Sequence, residues 1–400
     1  MKQVALATTK AFFLLLVTVM ALEFALQLAF PRLPKVLVEP MPQYLERLGY
    51  RLDTAHGALE YPARERVTYD VTPLSGDLYH LTCLKPADAQ PFAPYEVSFL
   101  RDGHGFRNVE PWPEAVDLVI IGDSFTAAEL IQRPFWQDLS QSTLILAVPG
   151  TGTLEQQRLF DAFALPRKPK TVVLAFFAGN DLDNTLFYAN MLRQGMTRQE
   201  IAHLGKNPLD YSVIFRMLQF LFHSAAHAAV DCHYPVFAQT DPVRPVAFFG
   251  QTLPLLRRDK TSLLQSDELR LVRESIAEMT SALEANAGRL ILMYIPQKAE
   301  LYWRYLDAAT KELIIDVESR NRNLSGLEAI DDNLTAQRDA MREVADEIGI
   351  AFLDLTPPLA AAVAEGEMPY FFADTHWNQL GHDIARNALL DYLIRSNKEL

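Results

Sequence analysis

Five short runs of almost unbroken valine, isoleucine and leucine set the tightest limit on how this chain can fold. They are VDLVIIG at 116–122, STLILAV at 142–148, TVVLAFF at 171–177, RLILMYI at 289–295 and IAFLDL at 350–355. A strand with one face in water alternates polar and apolar residues. Runs this continuous suit strands buried on both faces, as in a parallel sheet. Helical patterns lie between them. Leu269, Val272, Ile276, Met279 and Leu283 share one face behind Ser266, a candidate N-cap, and Leu334, Met341, Val344 and Ile348 do so ahead of Gly349, a candidate stop. A last helix starts near Asn378 and runs through Ile384, Leu389, Leu390 and Leu393. Strands alternating with helices predict a doubly wound α/β sheet, with its chemistry at the carboxyl ends of the strands.

The rest of the 400 residues divides around that pattern. Residues 1–35 hold Lys2, Lys10 and an apolar run from Ala11 to Phe30 broken only by Glu23. Such a run rises about 30 Å as a helix, the thickness of a bilayer's hydrocarbon core. With no small-residue cleavage site before Pro31 and no lipid-attachment cysteine, it reads as an uncleaved signal anchor, a single-pass helix with the bulk of the chain outside the cytoplasm, in the periplasm. Glu23 is expected to reach the membrane interface rather than a partner helix. Residues 36–114, rich in proline with short β-type stretches such as Val67-Thr68-Tyr69, read as a stalk and small lead-in. Residues 115–400 form the main domain, interrupted at about 184–261 by a mostly helical insertion that either roofs the active face or packs outside it. Cys83 and Cys232 match no metal or redox spacing and are two separate thiols or one disulfide. With 37 Lys and Arg against 50 Asp and Glu, the net charge of −13 and the lack of a basic stripe exclude nucleic acid as a partner.

Polar groups then appear where the sheet would present them. The first run ends in Gly122-Asp123-Ser124-Phe125, which places Ser124 at a helix start, where backbone N–H groups favour an anion. Thr126 stands where a Gly-x-Ser-x-Gly elbow would need glycine. The bland alternative is that Asp123 and Ser124 only cap the helix. The second run leads to Pro149-Gly150-Thr151-Gly152, a turn that can offer a free N–H but lacks a dinucleotide fingerprint. The third leads to Gly179-Asn180-Asp181, where Asn180 either donates to an oxyanion or forms a cap. After the fifth comes Tyr370-Phe371-Phe372-Ala373-Asp374-Thr375-His376-Trp377. Asp374 can hold one nitrogen of His376 and free the other as a base. His382, at the start of the last helix, reads as a surface or capping residue.

In this order the residues resemble the SGNH hydrolases, the GDSL-type esterases and lipases. The match runs from about Asp117 to Leu393 without the insertion. It implies a three-layer α/β/α, flavodoxin-like fold around a five-stranded parallel sheet. It also implies a triad of Ser124, His376 and Asp374, an oxyanion hole from Ser124, Gly150 and Asn180, and no metal or organic cofactor. One residue rather than two separates Asp374 from His376. That Asp-Thr-His-Trp form looks like the one in bacterial exopolysaccharide O-acetylation proteins, although those carry it in a rearranged order. Ile145 replaces an asparagine usual in the second block, at the cost of a structural hydrogen bond. Gly105-Phe106-Arg107-Asn108 and Pro296-Gln297-Lys298 also look like membrane-anchored members, and neither is given a catalytic role. The expected activity is an esterase acting on an O-acylated glycan or another ester outside the cytoplasm. A polysaccharide O-acetyltransferase using the same residues, within a polysaccharide-synthesis complex, is the alternative. The rival of another class is a non-catalytic glycan-binding or assembly protein, using exposed aromatics such as Tyr370, Trp377 and Trp303.

Overall fold

The computed structural model describes residues 2–38, 40–50, 62–72, 76–78, 93–139, 142–227, 236–237, 244–248, 252–322 and 325–396. Cys83 and Cys232 lie outside them. The chain opens with helix α1 (Lys2–Leu28), followed by strands β1 (Arg66–Val71) and β2 (Tyr95–Leu100). Strands β3 (Leu118–Gly122), β4 (Thr143–Ala147) and β5 (Thr171–Phe177) come next, then helices α2 (Asp181–Arg193), α3 (Val213–His227) and α4 (Asp267–Glu284). Strand β6 (Arg289–Ile295), helix α5 (Ala336–Ile348), strand β7 (Ala351–Asp354) and helix α6 (Gln379–Ser396) complete the series. Two compact units result, one of residues 1–53 with 195–230 and one of 54–194 with 231–400.

In the larger unit all five apolar runs are strands of one parallel sheet, in the order β4-β3-β5-β6-β7. Gly122 at the end of β3 pairs with Ala147 at the end of β4 and with Ala175 of β5, so β3 and β4 end level and β5 runs two residues further, to Phe177. Alternate side chains serve the two faces. Leu118, Ile120, Ile145, Val173, Ile291 and Met293 share a core with Ala385 and Leu389 of α6. On the other face Val119, Ile121, Leu144, Leu146, Val172 and Leu174 are equally buried, beside α4 and the short helix Thr153–Leu159. Both faces are covered, which is why the runs lack alternation. The fold is three-layered α/β/α, as the resemblance implies. Ser266 caps α4 by accepting from Leu269 N at 3.3 Å, and α5 stops at Gly349. Counted within the sheet the order is 2-1-3-4-5, and it reverses beside β3. That switch point is where an open α/β sheet leaves a crevice at its carboxyl edge.

The edge strand β4 draws support from the residues before β3. The Asn108 carboxamide donates to Ile145 O (2.9 Å) and accepts from Ile145 N (2.8 Å). A side chain ahead of β3 thus clamps the backbone of β4 at Ile145. Arg107 donates to the carbonyls of Ala128 and Ile131. Strands β1 and β2 pair antiparallel, Val67 with Phe99 and Tyr69 with Val97.

In the smaller unit, α1 carries Thr9–Leu28, 20 residues with mean hydropathy 2.2 and no covered share, long and apolar enough to cross a membrane. Glu23 meets a segment distant in the chain. Its carboxylate accepts from the N–H groups of Val213 and Ile214, at 2.9 and 3.0 Å, at the start of α3. Part of the stretch expected as an insertion, 195–230, belongs to this unit.

Ile120, fully buried at the centre of the sheet, gives a direct test of the core. Ile120→Ala is expected to lower the unfolding free energy by about 2–5 kcal/mol, read from urea denaturation.

Candidate active site

The turn after β3 separates two tasks that the sequence left merged. Asp123 is buried and takes the capping role, its Oδ1 accepting from Phe125 N at 2.9 Å. Burial pushes its carboxyl up to about 6. Ser124, the first residue of the single turn Ser124–Ala127, lies 3.5 Å from Asp123 Oδ2 through its hydroxyl and has a nearer partner. That partner is His376, whose Nε2 lies 2.8 Å from Ser124 Oγ. His376 Nδ1 lies 2.6 Å from Asp374 Oδ1. A carboxylate accepts only, so Nδ1 carries a proton, and in the neutral imidazole Nε2 is left to accept from the serine hydroxyl. Three side chains, one separated from the others by about 250 residues, thus form one chain of hydrogen bonds.

Several contacts hold the His376 loop in that position. Asp374 Oδ1 also accepts from His376 N (2.8 Å), and Oδ2 accepts from Asp77 N (3.1 Å). The Trp377 indole donates to Phe125 O at 3.1 Å, tying the loop to the serine turn. The Phe125 ring lies 4.8 Å from the His376 ring and stacks on Phe177 at 3.8 Å. His382 is not at the surface. It is buried, its Nδ1 accepts from Phe135 N at 3.1 Å, and its ring packs on Trp377. Burial holds its imidazole well below the usual histidine range, so it stays neutral and structural.

Electrostatics bind the pair further. Burial pushes the Asp374 carboxyl up, but the imidazole beside it and the hydrogen bonds from His376 and Asp77 leave it at about 2. Burial lowers the imidazole of His376 in turn. The Asp374 carboxylate outweighs this and holds it above the usual histidine range, with Asp77 and Asp123 adding to the effect.

Two contributors escaped the sequence reading. Asp77 comes from the lead-in, where no pattern marks it. Its carboxylate accepts from Thr375 N and Thr375 Oγ1, both at 2.8 Å, and Leu78 N donates to Ala373 O at 2.9 Å. A Cβ on neighbouring Gly76 would stand 2.0 Å from Ala373 O, so the close approach requires glycine there. Lys298 belongs to a motif that was noticed but given no role. It is buried, and its Nζ donates to the carbonyls of Asp374 (2.6 Å), Ala247 (2.9 Å) and Phe372 (3.4 Å). Burial lowers its amine to about 7 against the pull of Asp374 and Asp77. An ammonium has three donors, and all three are used on the backbone that carries Asp374.

The other expected residues sit at the flanking strand ends. Gly150 follows β4 with φ +71°, a left-handed conformation that favours glycine, and a Cβ there would meet nothing within 4 Å. Asn180 follows β5. It precedes α2 but makes no side-chain cap bond, and its Oδ1 is buried without a partner among the described residues. The cap alternative for Asn180 is therefore not the one adopted. Tyr370, Trp377 and Trp303 are all buried, so none offers an exposed sugar platform.

Ligand atoms of Asp77, Asp374 and His376 lie within 4.8 Å of one another, close enough to hold a metal ion. Each is already engaged, Asp77 by Thr375 and Asp374 by His376. The set suits proton transfer along the serine–histidine line better than a cation.

Residues 255–398 match a protein family described as "SGNH hydrolase-like domain, acetyltransferase AlgX". That stretch holds Asp374 and His376, and Ser124, Gly150 and Asn180 precede it. The resemblance to SGNH hydrolases drawn from the sequence is borne out by this match. Solved structures with some likeness to the chain include an acetyl xylan esterase, AlAXEase, at 11% identity and TM-score 0.35, covering 70% of this chain and 100% of that one. A GDSL-like lipase from Bacteroides thetaiotaomicron is 14% identical with TM-score 0.31, covering 72% and 93%. An extracellular lipase from Streptomyces rimosus is 12% identical with TM-score 0.35, covering 69% and 99%. Likeness at that level carries no argument about activity. No curated protein matches the chain.

The charge balance makes one expectation measurable. NMR titration of His376 should place its midpoint above that of a free histidine. In Asp77→Asn a negative charge near the imidazolium is lost, so the midpoint should move down.

Proposed function

We propose that this protein is a serine enzyme acting on acyl esters, with Ser124 as nucleophile, His376 as general base and Asp374 as the group that orients the imidazole. The 2.8 Å approach of His376 Nε2 to Ser124 Oγ, with Asp374 behind the ring, carries the reading. Ser124 Oγ attacks the ester carbonyl as its proton passes to Nε2. The oxyanion is held by the backbone N–H groups of Ser124 and Gly150 and by the Asn180 carboxamide. Collapse expels the alkoxide, which takes the proton back from His376 and leaves an acyl-serine. Water, deprotonated by the same imidazole, then releases the acid. The substrate proposed is an O-acylated, chiefly O-acetylated, glycan outside the cytoplasm, with α1 as the membrane anchor and residues 115–400 as the catalytic part.

A second reading draws support from the family match, whose description names an acetyltransferase. A sugar hydroxyl would then resolve the acyl-serine in place of water. Nothing else in the residue roles changes.

A fluorophosphonate probe should label the wild-type protein and fail to label folded Ser124→Ala or His376→Ala. Folded wild type that resists the probe overturns the enzyme reading. Asn180→Ala should lose about 10²–10³ in turnover by removing one oxyanion donor. Acetate release against acetyl transfer to an added oligosaccharide, followed by mass spectrometry, separates the two fates of the acyl group.

A further inference from the structure

The apolar face of α3 outruns its cover. Val213, at its start, is fully buried with Phe30, Leu37, Val38 and Met41. At 3.6 residues per turn, the same face continues through Met217, Leu218, Phe220 and Leu221, which together occupy an arc of about 160°. These four are exposed, at 38, 46, 38 and 60% respectively. The polar residues of that stretch lie outside the arc. Arg216 donates to Leu37 O and to Gln219 Oε1, both at 3.3 Å. The helix is amphipathic over this stretch, with a broad uncharged stripe that stands exposed among the described residues.

Glu23 fixes where that stripe stands. It lies five residues before Leu28, so about 7–8 Å inside the end of the α1 span. A carboxylate at that depth is costly unless its oxygens are satisfied. Here they accept from Val213 N, Ile214 N, Ser212 Oγ and Gln27 Nε2, at 2.9, 3.0, 2.9 and 2.7 Å. Three of these four donors belong to the start of α3. An α1 helix in lipid therefore takes the start of α3 with it. Phe24 and Leu28 of α1 are as uncovered as the α3 stripe. Arg32, exposed just past the span, suits a phosphate headgroup.

We propose that α3 is a second membrane element, seated in the bilayer at the end of the α1 span with Met217, Leu218, Phe220 and Leu221 among the acyl chains. The occupant of the stripe is lipid, because the carboxylate that begins the helix is already at hydrocarbon depth. This rests on the reading of α1 as an anchor, and it makes Glu23 the joint between the two elements.

The test uses the full chain in vesicles of phosphatidylethanolamine and phosphatidylglycerol. A benzophenone amino acid replaces Leu221, or in separate samples Phe12 of α1 or Glu284, which is exposed on α4. Irradiation followed by mass spectrometry should give phospholipid adducts at 12 and 221, at about tenfold the yield at 284. Adducts at 12 with none at 221 overturn the proposal while the anchor stands. A cross-linked dimer at 221 in place of lipid assigns the stripe to a second copy and also overturns it. No adduct at 12 removes the anchor and the proposal together. If the 221 variant fails to accumulate, the same probe at 217 reports the same stripe.

Discussion

The candidate site depends on the closure of residues 370–378 onto the turn that follows β3. Neither half is useful alone. Ser124 at a strand end is an ordinary hydroxyl, and Asp374 with His376 is an ordinary acid–base pair. Joined, they place Nε2 within 2.8 Å of Oγ. A long-range contact of this kind is costly in chain entropy, so it must be held by more than its own hydrogen bond. The Trp377 indole supplies one hold, by donating to Phe125 O in the core beside the serine. Packing of Trp377 against Phe135 and buried His382 supplies another.

The loop is also held from behind and from outside. Lys298 reaches three carbonyls, and Asp77 bridges to Thr375 while its own N–H supports Asp374. A buried ammonium would be expensive without full satisfaction. Here each donor meets a backbone oxygen, so the charge organises the loop rather than straining it. The imidazole charge of His376, together with hydrogen bonds to both carboxylate oxygens, keeps Asp374 ionised.

A similar economy recurs in the smaller unit. A carboxylate that looked misplaced in an apolar helix satisfies the free N–H groups at the start of another. In both places a charge in an apolar setting marks a joint between segments distant in the chain.

The amino-acid sequence by itself determined the class of fold, because buried parallel strands and amphipathic helices leave periodic marks. All five strands, the Ser266 cap and the Gly349 stop were legible for that reason. The candidate residues Ser124, Gly150, Asn180, Asp374 and His376 were legible too, since each follows a strand and has a distinctive type. Other contributions leave no such mark. Asp77 sits in an aperiodic lead-in, and the Lys298 amine donates to backbone carbonyls, for which residue type gives no clue. His382 reads from the sequence as a surface or capping residue and Trp377 as open between surface and core, and packing placed both inward. The distant partners of Glu23 could not be read from the sequence, since three of its four donors lie about 190 residues away at the start of α3. Local propensity and periodicity are written along the chain, whereas the partners of a buried polar group are set only when distant segments pack together.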